Sequence, residues 1–164
     1  MLLTRAWIER QIPHRGRMCL LDEVLAWDAH WIRCRSGTHR SADHPLRARG
    51  RLGAACGIEY AAQAMAIHGA LVADQSAAEP RIGYLASVRG LSLAVARLDD
   101  IAADLICEAT RIAGDRDSVV YEFMLRAGDP LDSAAREAGA RTLLSGRATI
   151  AFPSFEPPRM APSR

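Results

Sequence analysis

The longest nonpolar stretch of the chain runs over 53–72, GAACGIEYAAQAMAIHGALV, with no proline and one formal charge, Glu59. Ala, Met, Leu and Gln favour helix, and about twenty residues make roughly five turns. A surface helix shows one apolar stripe, whereas here Ala, Ile and Met occupy nearly every direction around the axis. Such a helix is expected to be buried on several sides. A membrane crossing fits less well: a span needs roughly twenty strongly apolar residues, and this stretch carries Glu59, Gln63 and His68 on an alanine-rich background. No membrane insertion is expected.

Elsewhere the pattern has period two. Strands are predicted at about 19–27 and 31–38 before the helix, and at about 81–91, 104–112, 118–127 and 142–152 after it. Trp31, Arg33 and Arg35 alternate with Ile32, Cys34 and Ser36; Val119, Tyr121, Phe123 and Leu125 alternate with Val120, Glu122, Met124 and Arg126. The breaks at 28–30 and at Gly114-Asp115-Arg116-Asp117 are short enough for hairpins. Thr4 is placed to cap a short helix running to about Gln11, which Pro13 ends. Segment 39–52, HRSADHPLRARGRL, is polar and irregular, and a loop of that length in a compact domain is often functional. Segment 128–140 reads as a loop with one helical turn at most, and the proline-rich tail 153–164 as disordered. Residues 1–152 then form a single domain.

A helix apolar on most faces needs a surface that curves around it, and six antiparallel strands supply one. The expected class is α+β, a hot-dog fold in which a six-stranded antiparallel sheet wraps one long central helix. Edge strands left open by such a sheet favour dimerisation through sheet edges.

Charge and cysteine usage remove several function classes. All 21 basic side chains are Arg, net charge is only +2, and no basic cluster interleaves with aromatics, so nucleic acid is not an expected partner. Cys19, Cys34, Cys56 and Cys107 form no CxxC pair, which argues against a metal site or a disulfide framework and fits a reducing cytoplasm. The opening MLLTRAWIER is too short and too soon charged for a signal peptide.

Glu59 is the first candidate for chemistry. A carboxylate inside a buried helix costs several kcal/mol unless compensated, so it is either satisfied by an Arg or by backbone, or it is functional. Gln63 lies four residues on and shares its face.

At this point the motifs resemble a known family. Ile12-Pro13-His14-Arg15 followed by Met18-Cys19-Leu20-Leu21-Asp22 resembles the LPHR…LLVDRV opening of bacterial β-hydroxyacyl-acyl-carrier-protein dehydratases, and Ile58-Glu59-Tyr60-Ala61-Ala62-Gln63-Ala64 their IEAMAQ helix segment. Segment 83–93, GYLASVRGLSL, resembles the strand after that helix. The likeness is closest to the ApeP-like branch associated with aryl-polyene and xanthomonadin-type pigment synthesis. It implies a dimer, homodimer or heterodimer with a related hot-dog subunit, whose active site lies between subunits. In it a loop His and the helix Glu dehydrate a 3-hydroxyacyl thioester carried on the phosphopantetheine of an acyl carrier protein, with no other cofactor.

The chemistry fits those residue types. Imidazole suits removal of the α-proton beside a thioester, and a carboxyl in apolar surroundings suits protonation of the departing hydroxyl. Free N–H groups at a helix N-terminus would stabilise the enolate. Gly53, Ala54, Ala55 and Cys56, with Gly57 and Gln63, would form the thioester-binding surface; the small residues would equally permit close packing. The GHFPGHP loop of the family is missing, replaced by Thr38-His39-Arg40-Ser41-Ala42-Asp43-His44-Pro45. His44, fifteen residues before Glu59, is the favoured base and His39, twenty before, the alternate. His14 is a weaker catalytic candidate, since the resemblance implies that its turn buttresses the loop; His68 lies about 13 Å along the helix from Glu59, and His30 sits in a turn. Arg47, Arg49 and Arg51 are candidates for steering an acidic carrier protein, or are simply solvated. Three functions follow: an active dehydratase, a catalytically impaired subunit that pairs with an active one, or a hot-dog thioesterase.

Overall fold

The computed structural model describes residues 3–75, 81–128 and 141–153. The predicted loop at 129–140 and the tail from 154 lie outside the described residues. In chain order the elements are β1 (Leu3–Thr4), α1 (Arg5–Gln11), β2 (Glu23–Trp27), β3 (Trp31–Ser36), α2 (Gly57–Gln75), β4 (Tyr84–Leu93), β5 (Leu105–Gly114), β6 (Ser118–Ala127) and β7 (Thr142–Ala151). The strands form one antiparallel sheet in the order β1-β2-β3-β5-β6-β7-β4.

The sheet has seven strands where six are predicted. The extra one is β1, two residues pairing Leu3 with Val24 and Thr4 with Glu23. Thr4 precedes α1 as expected, but its side chain makes no capping bond. Residues 19–22 are not strand: Leu20 and Leu21 are fully buried, and the Leu20 amide donates to the Gln63 side chain rather than to a ladder. At the far end of β3, 38–40 closes into a 3-10 turn instead of continuing the strand. The 114–117 hairpin forms as predicted, with the Asp115 carboxylate accepting from the amides of Asp117 and Ser118.

The period-two readings set the core. Val119, Tyr121, Phe123 and Leu125 are all buried on the concave face of β6, and Ile32, Cys34 and Ser36 on that of β3. Against them lie Tyr60, Ala61, Ala64, Met65, Ile67 and Leu71 of α2. His68, also fully buried, is satisfied by Tyr121 Oη at 2.8 Å and the Asp28 carbonyl at 2.9 Å. Gly57 lets the helix approach the sheet, because a Cβ there would stand 2.1 Å from Leu144 Cδ2. The wrapping is incomplete: Ala66 and Gly69 are exposed, Ala62 half-buried, and Glu59 heads the same stripe. Among the described residues β4 forms one border of the sheet, bonded only to β7, and carries exposed Tyr84, Leu85, Leu91 and Leu93.

Candidate active site

The first turn of α2 sends consecutive side chains in different directions, since successive residues are about 100° apart around a helix. Glu59 points to the turn at 13–18, Tyr60 to the loop at 36–46, and Gln63 lies one turn below Glu59. The segment 18–20 runs between the two networks and ties them together. Its Leu20 amide donates to Gln63 Oε1 at 2.8 Å, and its Met18 carbonyl accepts from Gln63 Nε2 at 2.8 Å. An amide N–H only donates, which fixes the orientation of the Gln63 side chain. Its NH2 therefore also faces Glu59 and donates to Oε1 at 3.0 Å.

His14 completes this cluster. Its Nε2 lies 3.1 Å from Glu59 Oε1, each side chain being about 30 % exposed (30 % and 31 %). The turn carrying it is fastened by Arg15, whose guanidinium donates to the carbonyls of Ile12 and His14. His14 Nδ1 is buried without a hydrogen-bond partner. No Arg pairs with Glu59 among the described residues, and Oε2 makes no contact of hydrogen-bond length there. The carboxylate is thus neither sealed in an apolar rod nor locked in a salt bridge with arginine. Among the described residues both of its hydrogen-bond contacts fall on Oε1, and the side chain stays partly exposed.

The two loop histidines sit elsewhere. His44 is 4 % exposed; its Nδ1 accepts from the Leu46 amide at 3.1 Å, so the ring proton is on Nε2, 2.9 Å from Tyr60 Oη. Tyr60 Oη in turn donates to Thr38 Oγ1 at 2.9 Å, which donates to the Leu20 carbonyl at 2.8 Å. Burial holds the Tyr60 hydroxyl well above the usual phenol range and His44 below the usual imidazole range, with Arg47 adding to the latter. His39 is fully buried, its Nε2 3.0 Å from the Ile101 carbonyl and its Nδ1 without a partner. Within one chain neither ring offers an accessible lone pair to a substrate at Glu59.

The expected thioester surface divides. Gly53 faces open space, Ala55 is exposed and Cys56 half-buried, whereas Ala54 is buried. Three of the amides in this turn are engaged: Ala54 N bonds the Ala96 carbonyl at 3.1 Å, Cys56 N the Gly53 carbonyl at 3.0 Å, and Gly57 N the carbonyls of Ala54 and Ala55. A short 3-10 turn, 54–56, precedes the α-helix and draws these amides inward. A cavity of about 480 Å³ opens on the other side of segment 18–20, over His44. Its rim carries Arg5, Arg17 and Arg40, paired with Asp22, Asp43 and Asp104 respectively. Of the proposed steering arginines, Arg47 is held by Asp99 and by the Ser41 and Gly50 carbonyls, while Arg49 and Arg51 are exposed. No cluster of His, Cys, Asp or Glu suited to a metal occurs among the described residues, and none of the described helices is long and apolar enough to cross a membrane.

The model of the ApeP dehydratase family matches residues 6–154. The chain belongs to the ApeP-like family. Its fold is similar to a chain of the dehydratase heterocomplex ApeI:P from Xenorhabdus doucetiae, with a TM-score of 0.71 at 19 % identity over 90 % of this chain and 91 % of that one. It is also similar to zebrafish thioesterase superfamily member 2 (TM-score 0.56, 16 % identity, 92 % and 99 % covered) and to a Haemophilus influenzae thioesterase (0.55, 14 %, 84 % and 82 %). These likenesses establish the hot-dog fold. A search among curated protein sequences gives no match.

Sequence reasoning placed Glu59 and Gln63 on one face and missed His14 as their neighbour. The signal was the Pro13-His14-Arg15 turn followed by Met18, but nothing in the spacing shows that a residue 45 positions before Glu59 folds back onto it.

Proposed function

We propose that this ApeP-like chain is a dehydratase subunit acting on 3-hydroxyacyl thioesters carried on the phosphopantetheine of an acyl carrier protein, in the synthesis of fatty-acid-like or aryl-polyene chains. The observation that carries this reading is Glu59, a partly exposed carboxylate held on one oxygen by His14 and Gln63 and without a partner on the other among the described residues, at the head of the helix stripe that the sheet leaves uncovered. Dehydration needs a carboxyl that can pass a proton to a departing hydroxyl, and this one is fixed in direction without being enclosed. The substrate brings its own phosphopantetheine, and the chain needs no cofactor for this reaction. The β4 border and the exposed apolar side chains on it support pairing with a second hot-dog subunit, a copy or a relative. The ApeI:P heterocomplex supports the second form.

The test is turnover of a 3-hydroxyacyl carrier protein, alone and with a related hot-dog subunit. Dehydration yields an enoyl thioester absorbing in the ultraviolet; release of free thiol instead would replace this reading with hydrolysis. A second reading is a substrate-holding subunit beside an active dehydratase. The engagement of both nitrogens of His44 favours it, because a loop imidazole would then have to come from the partner. Activity that appears only with the partner and survives loss of Glu59 supports that reading and excludes the first.

A further inference from the structure

We propose that His14 is a positioning residue that acts through Glu59: together with Gln63 it holds Oε1, so that Oε2 alone exchanges protons with the substrate. This rests on the dehydratase reading and assigns the proton path within it.

Three observations combine. Gln63 is oriented by the backbone on both its ends, so its NH2 donates to Oε1. His14 Nε2 stands 3.1 Å from that same oxygen. His14 Nδ1 is buried with no partner. A proton on Nδ1 would be a buried donor with nothing to receive it, a rarer and costlier defect than an unpaired acceptor. The ring proton therefore belongs on Nε2, where it faces the carboxylate. In that tautomer the imidazole has no accessible lone pair, and an ionised Glu59 does.

The step closes on itself. Oε2 takes the α-proton; the electrons of the Cα–H bond become the Cα=Cβ bond; the Cβ–O bond breaks. The departing hydroxyl takes the proton back from Oε2 and leaves as water, and Glu59 ends as the carboxylate it began. His14 keeps its proton throughout. Its task is to stop the carboxylate from rotating off the substrate, a misplacement that costs about 100-fold in rate when it reaches roughly 1 Å.

The experiment compares His14→Ala with His14→Gln in the assembled, active protein, because a Gln side chain places an N–H donor near the position of Nε2 and cannot carry a proton. His14→Ala is expected to lower kcat about 100-fold with KM unchanged, and His14→Gln to restore most of that loss. Gln performing no better than Ala would overturn the proposal, as would full activity of His14→Ala. Glu59→Gln measured alongside separates the two levels: if it keeps full dehydratase activity, the dehydratase reading of this site falls as a whole. If it is inactive while Gln fails to rescue His14→Ala, only the present inference falls. Ring-nitrogen NMR of the histidines supplies a readout independent of turnover. A proton on Nε2 of His14, with a resonance that moves in Glu59→Gln, is expected; a proton on Nδ1 overturns the assignment.

Discussion

Tyr60 Oη lies 2.9 Å from His44 Nε2, and through this contact the helix that carries Glu59 also holds the loop before it. Glu59 and Tyr60 are adjacent in the chain, yet one faces a partly exposed cluster and the other sits within a closed relay from His44 to the Leu20 carbonyl. The loop histidine thus has a structural duty that can be measured apart from catalysis. Tyr60→Phe leaves the His44 N–H without an acceptor, and an unpaired buried donor costs about 1–3 kcal/mol. For a domain of this size each kcal/mol lowers Tm by about 2–4 °C. A lower Tm with turnover retained is the expected result; an unchanged Tm with turnover lost would return His44 to the mechanism.

Glu59→Gln should reduce dehydration by about 10²–10⁴-fold, the usual contribution of a proton-transferring side chain. Gln keeps the shape of the side chain, and Glu59 is partly exposed, so Tm and oligomeric state should stay as in the parent protein. Comparable turnover in the variant removes Glu59 from the reaction.

Stability should fall on mild acidification. Burial holds His39, His44 and His68 below the usual imidazole range, with Arg40, Arg47 and Arg111 as the neighbouring cations and Asp104, Asp43 and Asp28 as the opposing carboxylates. A base whose folded pKa is depressed leaves the unfolded chain holding more protons, so stability is full above about pH 6.5 and declines below it. Asp99 and Asp104 are pulled in the acidic direction by their arginine partners, and their contribution is lost only nearer pH 4 and below. Urea midpoints at pH 7.5 and 5.5 test this, and equal midpoints would refute it.

Gly57→Ala should destabilise the fold even though Ala is the better helix former. The propensity gain is about 1 kcal/mol, whereas the added methyl would meet Leu144 and Leu125, both fully buried, and overpacking typically costs about 1–3 kcal/mol. Gly53→Ala, whose methyl meets nothing within 4 Å, is the matched control and should have little effect on Tm.

Tyr84→Glu combined with Leu93→Glu places charge on the exposed face of β4. Sedimentation velocity should show association with a second hot-dog subunit weakened while the circular dichroism spectrum of the free chain is unchanged. Undiminished association would move the interface away from this border.

The hot-dog architecture was readable because it is written in local patterns. An alanine-rich run apolar on most sides predicts a wrapped helix, and the alternation from Val119 to Leu125 predicts the wall it rests on. What stayed hidden depends on long-range geometry. β1 is two residues long, too short to show a period, and 19–22 is as apolar as a strand but gives its Leu20 amide to a helix side chain. At the site, Glu59 and Gln63 follow from helical spacing, whereas the pairing of His14 with Glu59 depends on how the 13–18 turn closes. His44 carries the right residue type at nearly the expected distance from Glu59. Only the rotation between positions 59 and 60 of the helix shows that it answers to the tyrosine.

The two ends of the sheet differ in a way that limits growth. Among the described residues, β1 at one end offers two residues, too few to template a new strand, and β4 at the other offers ten. A subunit that docks there uses the one extended border, and if its own sheet is similarly blunted at the far side, the composite has nowhere left to add a third. On that condition the asymmetry favours a pair over a fibre.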